Sequence, residues 1–485
     1  MNLATVVDAH PADAQAVVDD DGGWTFGQLR ERAARRRGRL AAAGVAPGDR
    51  VAIITPAGAL FVETYLAVLG LGAIAVPLNR RAPAAELDAE VAAVGADVAV
   101  VAGLRDPGAG AMLRTRSVVI GDDEAADDGT ASMLEAAPRP VVEAAADAPA
   151  VLLFTSGTAG APRPAVLTHG NLRANLENVD GRRSILGPDD TTVCSVPLFH
   201  VMGLNSILGA ALRSGATVVF RDDFDAASVL DAVDRHRATA LVGPPTLWSA
   251  LAAADPGPGP LVTITTAVSA AAPLDATTVS AAQECLGIRL TQGYGLTEAS
   301  PTVSLGLGLD CPALSVGLPV PGVEVRIVDA DGSDTLAGDT GEILVRGANV
   351  FPGYWQDPDA TAAVLRDGWL HTGDIGVVDD GWLYLVDRAK ELILVSGFNV
   401  HPGEVEDALS SHRAVRAAAA VGRPDGHTGE RVVAYVVAAA GETVDPRDLL
   451  AHCRTLLAGH KCPREIVLVD ELPTGLGGKV RRRLL

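Results

Sequence analysis

The chain has 485 residues, of which 48% are hydrophobic and 20% charged, and this composition predicts a well-folded protein of more than one domain. Asp and Glu outnumber Lys and Arg by 60 to 39, giving a formal net charge of -21. Such a surface repels nucleic-acid backbones and anionic membranes, so neither is expected as the main partner. No apolar run long enough for a membrane span and no signal-peptide pattern is present, so we expect a cytoplasmic protein.

The numbers and positions of cysteine and lysine residues indicate the redox compartment and the candidate functional cations. Five scattered cysteines without metal-ligand spacing indicate thiols of a reducing compartment. Only three of the 39 basic residues are lysine, namely Lys390, Lys461 and Lys479. Because arginine supplies nearly every cation, each lysine is a candidate for a site that needs a compact ammonium group.

The first hundred residues alternate helix and strand patterns. Thr25–Ala43 predicts a helix, Val51–Pro56 a buried strand, Phe61–Ala73 a helix and Ile74–Asn79 a strand. This alternation is typical of an α/β architecture. The acidic, Ala- and Pro-rich stretch Gly121–Ala148 predicts an irregular surface segment.

The alternation resumes at Val151 and changes after Gly317 to short strands with turns, which predicts a small antiparallel β region. We therefore predict an α/β fold with a large N-terminal domain of mixed sheets flanked by helices plus that β region. A small α+β C-terminal domain is predicted to follow. We place the boundary so that residues 1–387 form the first domain and residues 388–485 the second.

The first chemical motif is LLFTSGTAGAPRPAVLTHGNL, at Leu152–Leu172. An apolar strand leads into Thr, Ser and Gly residues, whose backbone N–H and hydroxyl groups can contact phosphate oxygens. The Gly-Lys-Ser/Thr ending of the common P-loop is missing. Alone, the segment fits a surface turn equally well.

The second motif is TQGYGLTEAS, at Thr291–Ser300. Tyr294 could lie on a purine ring, and Glu298 could hold a magnesium ion near phosphates. Alone, the motif fits a tight turn followed by a surface acid better.

Three further motifs follow. DGWLHTGDIG, at Asp367–Gly376, places Asp374 before a predicted strand, where a carboxylate can accept ribose hydroxyls, although a turn aspartate is common there too. Val386–Leu409 contains Arg388, Lys390 and Gly397. Leu472–Leu485 places Lys479 after glycines in what could also be a solvated basic tail.

Together the five motifs resemble the adenylate-forming superfamily of acyl-CoA synthetases, firefly luciferase and the adenylation domains of peptide synthetases. The resemblance covers nearly the whole chain, from Thr25 to Leu485, and rests on the order and spacing of all five motifs. The segment SGFNVHPGEVE, at Ser396–Glu406, is most similar to the acyl- and aryl-CoA ligase branch.

The resemblance implies a role for each matched position. Lys479 would bridge the carboxylate and the α-phosphate during adenylation, Glu298 and Thr158 would lie near Mg²⁺, and Lys390 would be the hinge of a mobile C-terminal domain. His200, in PLFHVMGLNS, would lie at the mouth of the acyl pocket, although a satisfied structural histidine is the alternative. The implied nucleotide- and acceptor-binding positions are Thr155, Ser156, Gly157, Thr158, Ala159, Arg163, Ala272, Gln292, Gly293, Tyr294, Gly295, Thr297, Asp374, Arg388, Lys390, Ser396, Gly397 and Phe398.

The sequence departs from the family pattern at two places. Arg163-Pro164 replaces the usual Lys-Gly after the first motif, which keeps a positive charge but changes its hydrogen-bond geometry and removes one N–H. We expect slower or altered ATP handling from this change. Ser396 stands where some ligases carry lysine, which argues against the plant coumarate ligase type.

The predicted function is ATP-dependent activation of a carboxylic acid to an acyl-adenylate, then transfer to coenzyme A, with Mg²⁺ as the metal. We predict a medium- or long-chain fatty acid, with an aryl acid as the alternative. Delivery to a carrier protein or a nitrogen nucleophile stays open, as does a non-catalytic binding homologue, although the retained motif residues argue against the latter. Monomer and homodimer are both compatible with the sequence.

Overall fold

The computed structural model describes residues 1–104, 113, 118–121, 137–156, 162–182, 184–221, 225–254, 261–272, 274, 276–329, 331–388, 393–400, 402–439, 441–473 and 485. For residues 118–121, 156, 162, 277, 386–388 and 399 the description covers the backbone alone. The predicted mixed α/β fold, with a large N-terminal domain and a smaller C-terminal one, is confirmed.

The helices begin where the sequence supplies caps. At α1 the Thr25 hydroxyl accepts from the Gln28 N–H, and the Gln28 side chain accepts from the Thr25 N–H, so both donors are satisfied. Among the described residues, two 3₁₀ helices (Leu3–Val7 and Thr297–Ala299) and a π-helix (Met202–Gly209) accompany the α-helices. The α-helices are α1 (Phe26–Ala42), α2 (Ala59–Gly70), α3 (Ala84–Val94), α4 (His169–Asp180), α5 (Ala210–Ser214), α6 (Ala226–His236), α7 (Pro245–Ala253), α8 (Ala276–Leu286), α9 (Pro358–Val364), α10 (Pro402–Ser410) and α11 (Pro446–Leu456).

Several strands are short, buried apolar runs, as expected for parallel sheets covered on both faces. The described strands are β1 (Gln15–Asp19), β2 (Gly22–Thr25), β3 (Arg50–Ile54), β4 (Ile74–Pro77), β5 (Val98–Val101), β6 (Val118–Gly121), β7 (Pro149–Ser156), β8 (Pro162–Thr168), β9 (Thr191–Cys194), β10 (Thr217–Phe220), β11 (Ala240–Gly243), β12 (Thr266–Ser269), β13 (Thr291–Gly295), β14 (Thr302–Leu305), β15 (Leu318–Pro319), β16 (Val323–Val328), β17 (Thr340–Gly347), β18 (Leu365–Arg366), β19 (Trp369–Asp379), β20 (Trp382–Arg388), β21 (Ile393–Val395), β22 (Phe398–Val400), β23 (Val415–Asp425), β24 (Gly429–Ala438) and β25 (Glu465–Leu468).

Within the described residues the strands form four sheets. A nine-stranded sheet has the order β15-β14-β13-β12-β11-β9-β10-β1-β2, and a six-stranded sheet has the order β6-β5-β3-β4-β7-β8. The predicted antiparallel region is a sheet of order β16-β17-β19-β18 with β20 paired to β19, and the C-terminal sheet is β22-β21-β24-β23 with β25 on β24. The four pairs described among β9–β13 are all parallel, so their carboxyl ends meet at one edge.

An acidic cluster joins the two domains. The Lys461 ammonium, in the C-terminal domain, lies 2.8 Å from Glu86 Oε1 on α3 and 2.9 Å from Glu404 Oε2 on α10. The other Glu86 oxygen accepts from the Ala458 N–H at 2.8 Å. Glu90, one turn along α3, is buried beside them. We call Glu86, Glu90, Glu404 and Lys461 the interdomain cluster.

Glu90 should make stability depend on pH. Burial and then the negative charge of Glu86 raise the pKa of Glu90 to about 8. The folded chain therefore holds this proton more tightly than the unfolded chain, so its stabilising effect is complete below about pH 4.5 and is lost toward about pH 8. We expect the melting temperature of the wild type to fall more steeply with pH than that of Glu90→Gln. An exposed control, Glu442→Gln, should keep the wild-type slope, whereas equal slopes for all three proteins would contradict the assignment.

No helix in the described ranges combines the length and the apolar character that crossing a bilayer requires.

Candidate active site

A cavity of about 1660 Å³ lies where the carboxyl ends of the nine-stranded sheet face the C-terminal domain. This edge of an α/β sheet is the usual place for a ligand, because the loops there converge. The structure brings many predicted positions to this cavity. They are Thr155, Arg163, His200, Ala272, Gly293, Tyr294, Gly295, Thr297, Glu298, Asp374, Gly397 and Phe398.

Asp374 is held by an aromatic hydroxyl. The Tyr294 Oη donates to Asp374 Oδ2 at 2.7 Å, and the Asp374 N–H donates to Thr372 Oγ1 at 3.0 Å. Tyr294 is 6% exposed, and burial, together with the Asp374 charge, raises its pKa well above the usual value. The phenol therefore stays protonated and remains a donor, which fixes the carboxylate at the cavity wall.

Glu298 is held in the same way by a residue that the sequence reasoning missed. Tyr354 Oη donates to Glu298 Oε1 at 2.7 Å, and both residues line the cavity. The Phe351 N–H donates to the Glu298 carbonyl at 2.8 Å. The aromatic residues of Phe351–Trp355 were the signal that could have pointed to Tyr354. Such residues are equally typical of core packing.

The two strands that flank the first motif pair directly. Thr155 on β7 is the register partner of Arg163 on β8, and its hydroxyl donates to the Arg163 carbonyl at 3.3 Å. Arg163 Nε lies 3.1 Å from Asp357 Oδ2. The arginine that replaces the usual lysine is thus already engaged with an acid, and altered ATP handling stays a prediction.

His200 is half-buried at the cavity. The Met202 N–H donates to its Nδ1 at 3.2 Å, so the neutral ring carries its proton on Nε2. Burial lowers the pKa of His200 to about 4. The imidazole is therefore a neutral hydrogen-bond donor near pH 7, and both the pocket role and the structural role agree with this geometry.

Gln292 differs from the expectation. It is 4% exposed and does not line the cavity. Its Oε1 accepts from the Leu274 N–H at 2.9 Å and its Nε2 donates to the Leu314 carbonyl at 3.0 Å. Because both ends of the amide are bonded to backbone, the side chain ties the strand to neighbouring segments, and a nucleotide contact at Gln292 stays a prediction.

The Gly397 turn of the C-terminal domain packs on the N-terminal domain. Gly397 has φ +82°, and a Cβ there would lie 2.8 Å from Pro244 Cβ, so a side chain would collide. The Phe398 ring stacks with His460 at 4.4 Å and with Phe199 at 6.3 Å, measured between ring centroids. Ser396 lines an adjoining cavity of about 310 Å³, and Arg80, Arg81 and Arg221 line the same cavity.

Several predicted positions lie outside the described residues. They are Gly157, Thr158, Ala159, Lys390 and Lys479. The side chains of Ser156 and Arg388 are also outside the description, although their strands are placed. Arg388 on β20 is the register partner of Asp374 on β19, so the backbone brings the two predicted ribose positions opposite each other.

Glu298 is compatible with Mg²⁺ even though it is a single acid. In the part of the chain that is described, no group of three or more His, Cys, Asp or Glu is arranged to hold a metal. Mg²⁺ is commonly bound by one or two carboxylates together with substrate phosphates and water. Since Tyr354 holds Oε1, the remaining carboxylate oxygen has a defined position.

Comparison with known proteins decides the family. Residues 3–355 match the sequence model described as AMP-binding enzyme, and residues 404–479 match that of the AMP-binding enzyme C-terminal domain. The chain belongs to the AMP-binding enzyme family. The predicted resemblance is thereby confirmed, as is the enzyme class, an AMP-forming acid–CoA ligase, which uses ATP and coenzyme A. The predicted boundary at 387/388 falls between the matched ranges and stays a prediction.

Individual members of the family are similar over nearly the whole chain. A feruloyl-CoA synthase from Amycolatopsis sp is 39% identical over 97% of this chain and 96% of its own. A long-chain-fatty-acid–CoA ligase from Bacillus subtilis is 33% identical over 95% and 89%. The structure of a double mutant of o-succinylbenzoate CoA synthetase from Bacillus subtilis, bound with a product analogue, superposes with a TM-score of 0.88 at 28% identity, covering 100% of this chain and 97% of that one.

Proposed function

We propose that this AMP-binding enzyme activates a medium- or long-chain fatty acid with ATP and transfers the acyl group to coenzyme A. One observation carries the choice of acid. The residues that line the cavity from the π-helix, β11, β12 and β14 are all uncharged. They are Met202, Ser206, Val242, Val268, Thr302 and Leu305.

In the first half-reaction the acid's carboxylate oxygen attacks the α-phosphorus of ATP and pyrophosphate leaves. Catalysis of such a step is mainly positioning and neutralisation of charge. Asp374 would accept hydrogen bonds from the ribose hydroxyls, and His200 Nε2–H would donate to the acid. Lys479 would neutralise the charge that develops between carboxylate and phosphate.

Mg²⁺, held by Glu298 and Thr158, would neutralise phosphate charge when bound. The protein's own contribution is the fixed direction of the Glu298 carboxylate, which Tyr354 maintains. Thr155, half-buried at the end of β7, would turn its hydroxyl from the Arg163 carbonyl to the phosphates when ATP binds.

In the second half-reaction the thiol of coenzyme A attacks the acyl carbon and AMP leaves. Gly397 lies at the cavity and packs on Pro244 without a side chain, so the backbone of this turn could border a pantetheine arm at close range. The three arginines of the smaller cavity would offset the repulsion between coenzyme A phosphates and a chain of net charge -21. The Gly397 turn lies at the cavity, and we expect the C-terminal domain to rotate between the two half-reactions, so that this turn serves thioester formation and Lys479 serves adenylation.

The test is acid-dependent pyrophosphate release with a matched pair of acids, dodecanoate and dodecanedioate. The two differ only in a second carboxylate at the far end, which an uncharged lining would leave buried and unpaired. We expect kcat/KM for the diacid to be at least about 100-fold lower, since burying an unpaired charge costs several kcal/mol. Equal rates for the two acids would contradict an uncharged acyl pocket.

An aryl acid is a second candidate, favoured by the identity to the feruloyl-CoA synthase along nearly the entire chain. The hydroxyls of Ser206 and Thr302 at the cavity could pair with a phenol. Ferulate in the same assay separates the candidates. A kcat/KM for ferulate above that for dodecanoate would replace the fatty acid by an aryl acid while leaving the ligase assignment intact.

A further inference from the structure

We propose that Tyr354 is a positioning residue of the adenylation half-reaction, which fixes the Glu298 carboxylate relative to the strand ends that flank the first motif. The inference rests on the proposed function of Glu298 at the phosphates. It adds a residue to that site, and the direct observation is the bond from Tyr354 Oη to Glu298 Oε1 at 2.7 Å.

The segment that carries Tyr354 holds Glu298 at two points. Besides the phenol, the Phe351 N–H donates to the Glu298 carbonyl at 2.8 Å. Glu298 belongs to a 3₁₀ helix of three residues, Thr297–Ala299, which is too short to fix a side chain by itself. Both the backbone and the carboxylate of Glu298 therefore depend on residues 351–354.

The same segment holds β8. The Trp355 N–H donates to the Pro164 carbonyl at 2.7 Å and the Val166 N–H donates to the Gly353 carbonyl at 3.0 Å. The Arg163–Asp357 ion pair at 3.1 Å adds a side-chain contact. Because Arg163 is the register partner of Thr155, the segment ties the end of β7–β8 to Glu298.

Tyr354 is itself well fixed. Its N–H donates to Thr361 Oγ1 at 2.9 Å, and its ring meets the buried Phe351 ring edge-on with centroids 5.0 Å apart. The phenol hydroxyl donates to Glu298 Oε1 at 2.7 Å, and a carboxylate with one oxygen held has a definite direction for the other.

The test is Tyr354→Phe, which removes only the hydroxyl, with Tyr384→Phe as a matched control whose phenol lies outside the cavity. Pyrophosphate release is measured with the acid that the wild type uses best, at varied ATP and Mg²⁺. We expect kcat/KM for ATP to fall about 10- to 100-fold, as for a lost hydrogen bond to a charged group. The Mg²⁺ concentration for half-maximal rate should rise. KM for the acid and thioester formation from supplied acyl-adenylate should stay close to wild type.

A double-mutant cycle with Glu298→Gln separates positioning from simple packing. If Tyr354 acts through Glu298, the double variant should lose little more than Glu298→Gln alone. Additive losses, wild-type ATP and Mg²⁺ dependence, or equal damage to both half-reactions would each overturn the inference. Failure of the proposed acid is visible separately, since dodecanoate would then be inactive with the wild type itself.

Discussion

Replacing Lys479 with alanine is expected to slow acyl-adenylate formation about 100- to 1000-fold, as when one donor to developing charge is removed from an active site. Thioester formation from supplied acyl-adenylate should stay within about twofold of the wild type, because that step makes no new bond to phosphorus. The prediction follows from the motif alone, since Lys479 lies outside the described residues. It is strengthened by the composition, in which only three of the 39 basic residues are lysine.

The measurement is single-turnover kinetics of each half-reaction. Arg481→Ala is the matched control, because it removes a cation from the same basic run without touching the predicted catalytic position. Lys479→Arg tests geometry, since a guanidinium keeps the charge but cannot occupy the space of an ammonium. If Lys479→Ala damaged both half-reactions equally, a role specific to adenylation would have to be abandoned.

The second large effect is expected at Asp374. Alanine there would remove two charge-assisted hydrogen bonds to the ribose, each worth about 1.5–3 kcal/mol, so kcat/KM for ATP should fall about 100- to 10,000-fold. The structure supports a precise placement, because Tyr294 Oη holds the carboxylate at 2.7 Å. Tyr294→Phe should therefore give a smaller loss in the same direction.

Steady-state kinetics at varied ATP, with acid and coenzyme A saturating, measure this loss. Asp379→Ala, at the exposed end of the same strand β19, controls for any general weakening of the sheet. A folded Asp374→Ala protein with unchanged ATP dependence would remove Asp374 from the nucleotide site.

The fold class and much of the site were predictable because their signals are local. The capping box Thr25–Gln28 marks the start of α1 within one residue of the prediction. The motifs around Tyr294 and Asp374 could be recognised one by one from their residues, and in the fold both line the cavity. Glycine at position 397 was likewise informative, since its positive φ and its contact with Pro244 need the absence of a side chain.

The parts of the site and of the domain interface that could not be predicted depend on contacts between segments far apart in the sequence. Tyr354 and Glu298 are 56 positions apart, and Lys461 and Glu86 are 375 apart, and neither pair has a local periodicity that a single sequence reveals. Gln292 shows the opposite difficulty. It lies inside a predicted binding motif, yet its amide forms hydrogen bonds to two backbone groups. Whether such an amide binds a ligand or the backbone depends on how neighbouring segments pack, which the local sequence does not show.

The interdomain cluster has a consequence for covalent labelling. The Lys461 side chain is 12% exposed, and although burial disfavours its charge, Glu86 and Glu404 raise its pKa above the usual value. Acylating reagents react with amines that are both neutral and accessible. While Glu86 and Glu404 hold the Lys461 ammonium, both its charge and its burial protect it from acylation. Rotation of the C-terminal domain would carry Lys461 away from Glu86 while Glu404, on the same domain, travels with it. The rate at which Lys461 is acylated, measured by mass spectrometry, would therefore report how much time the two domains spend apart.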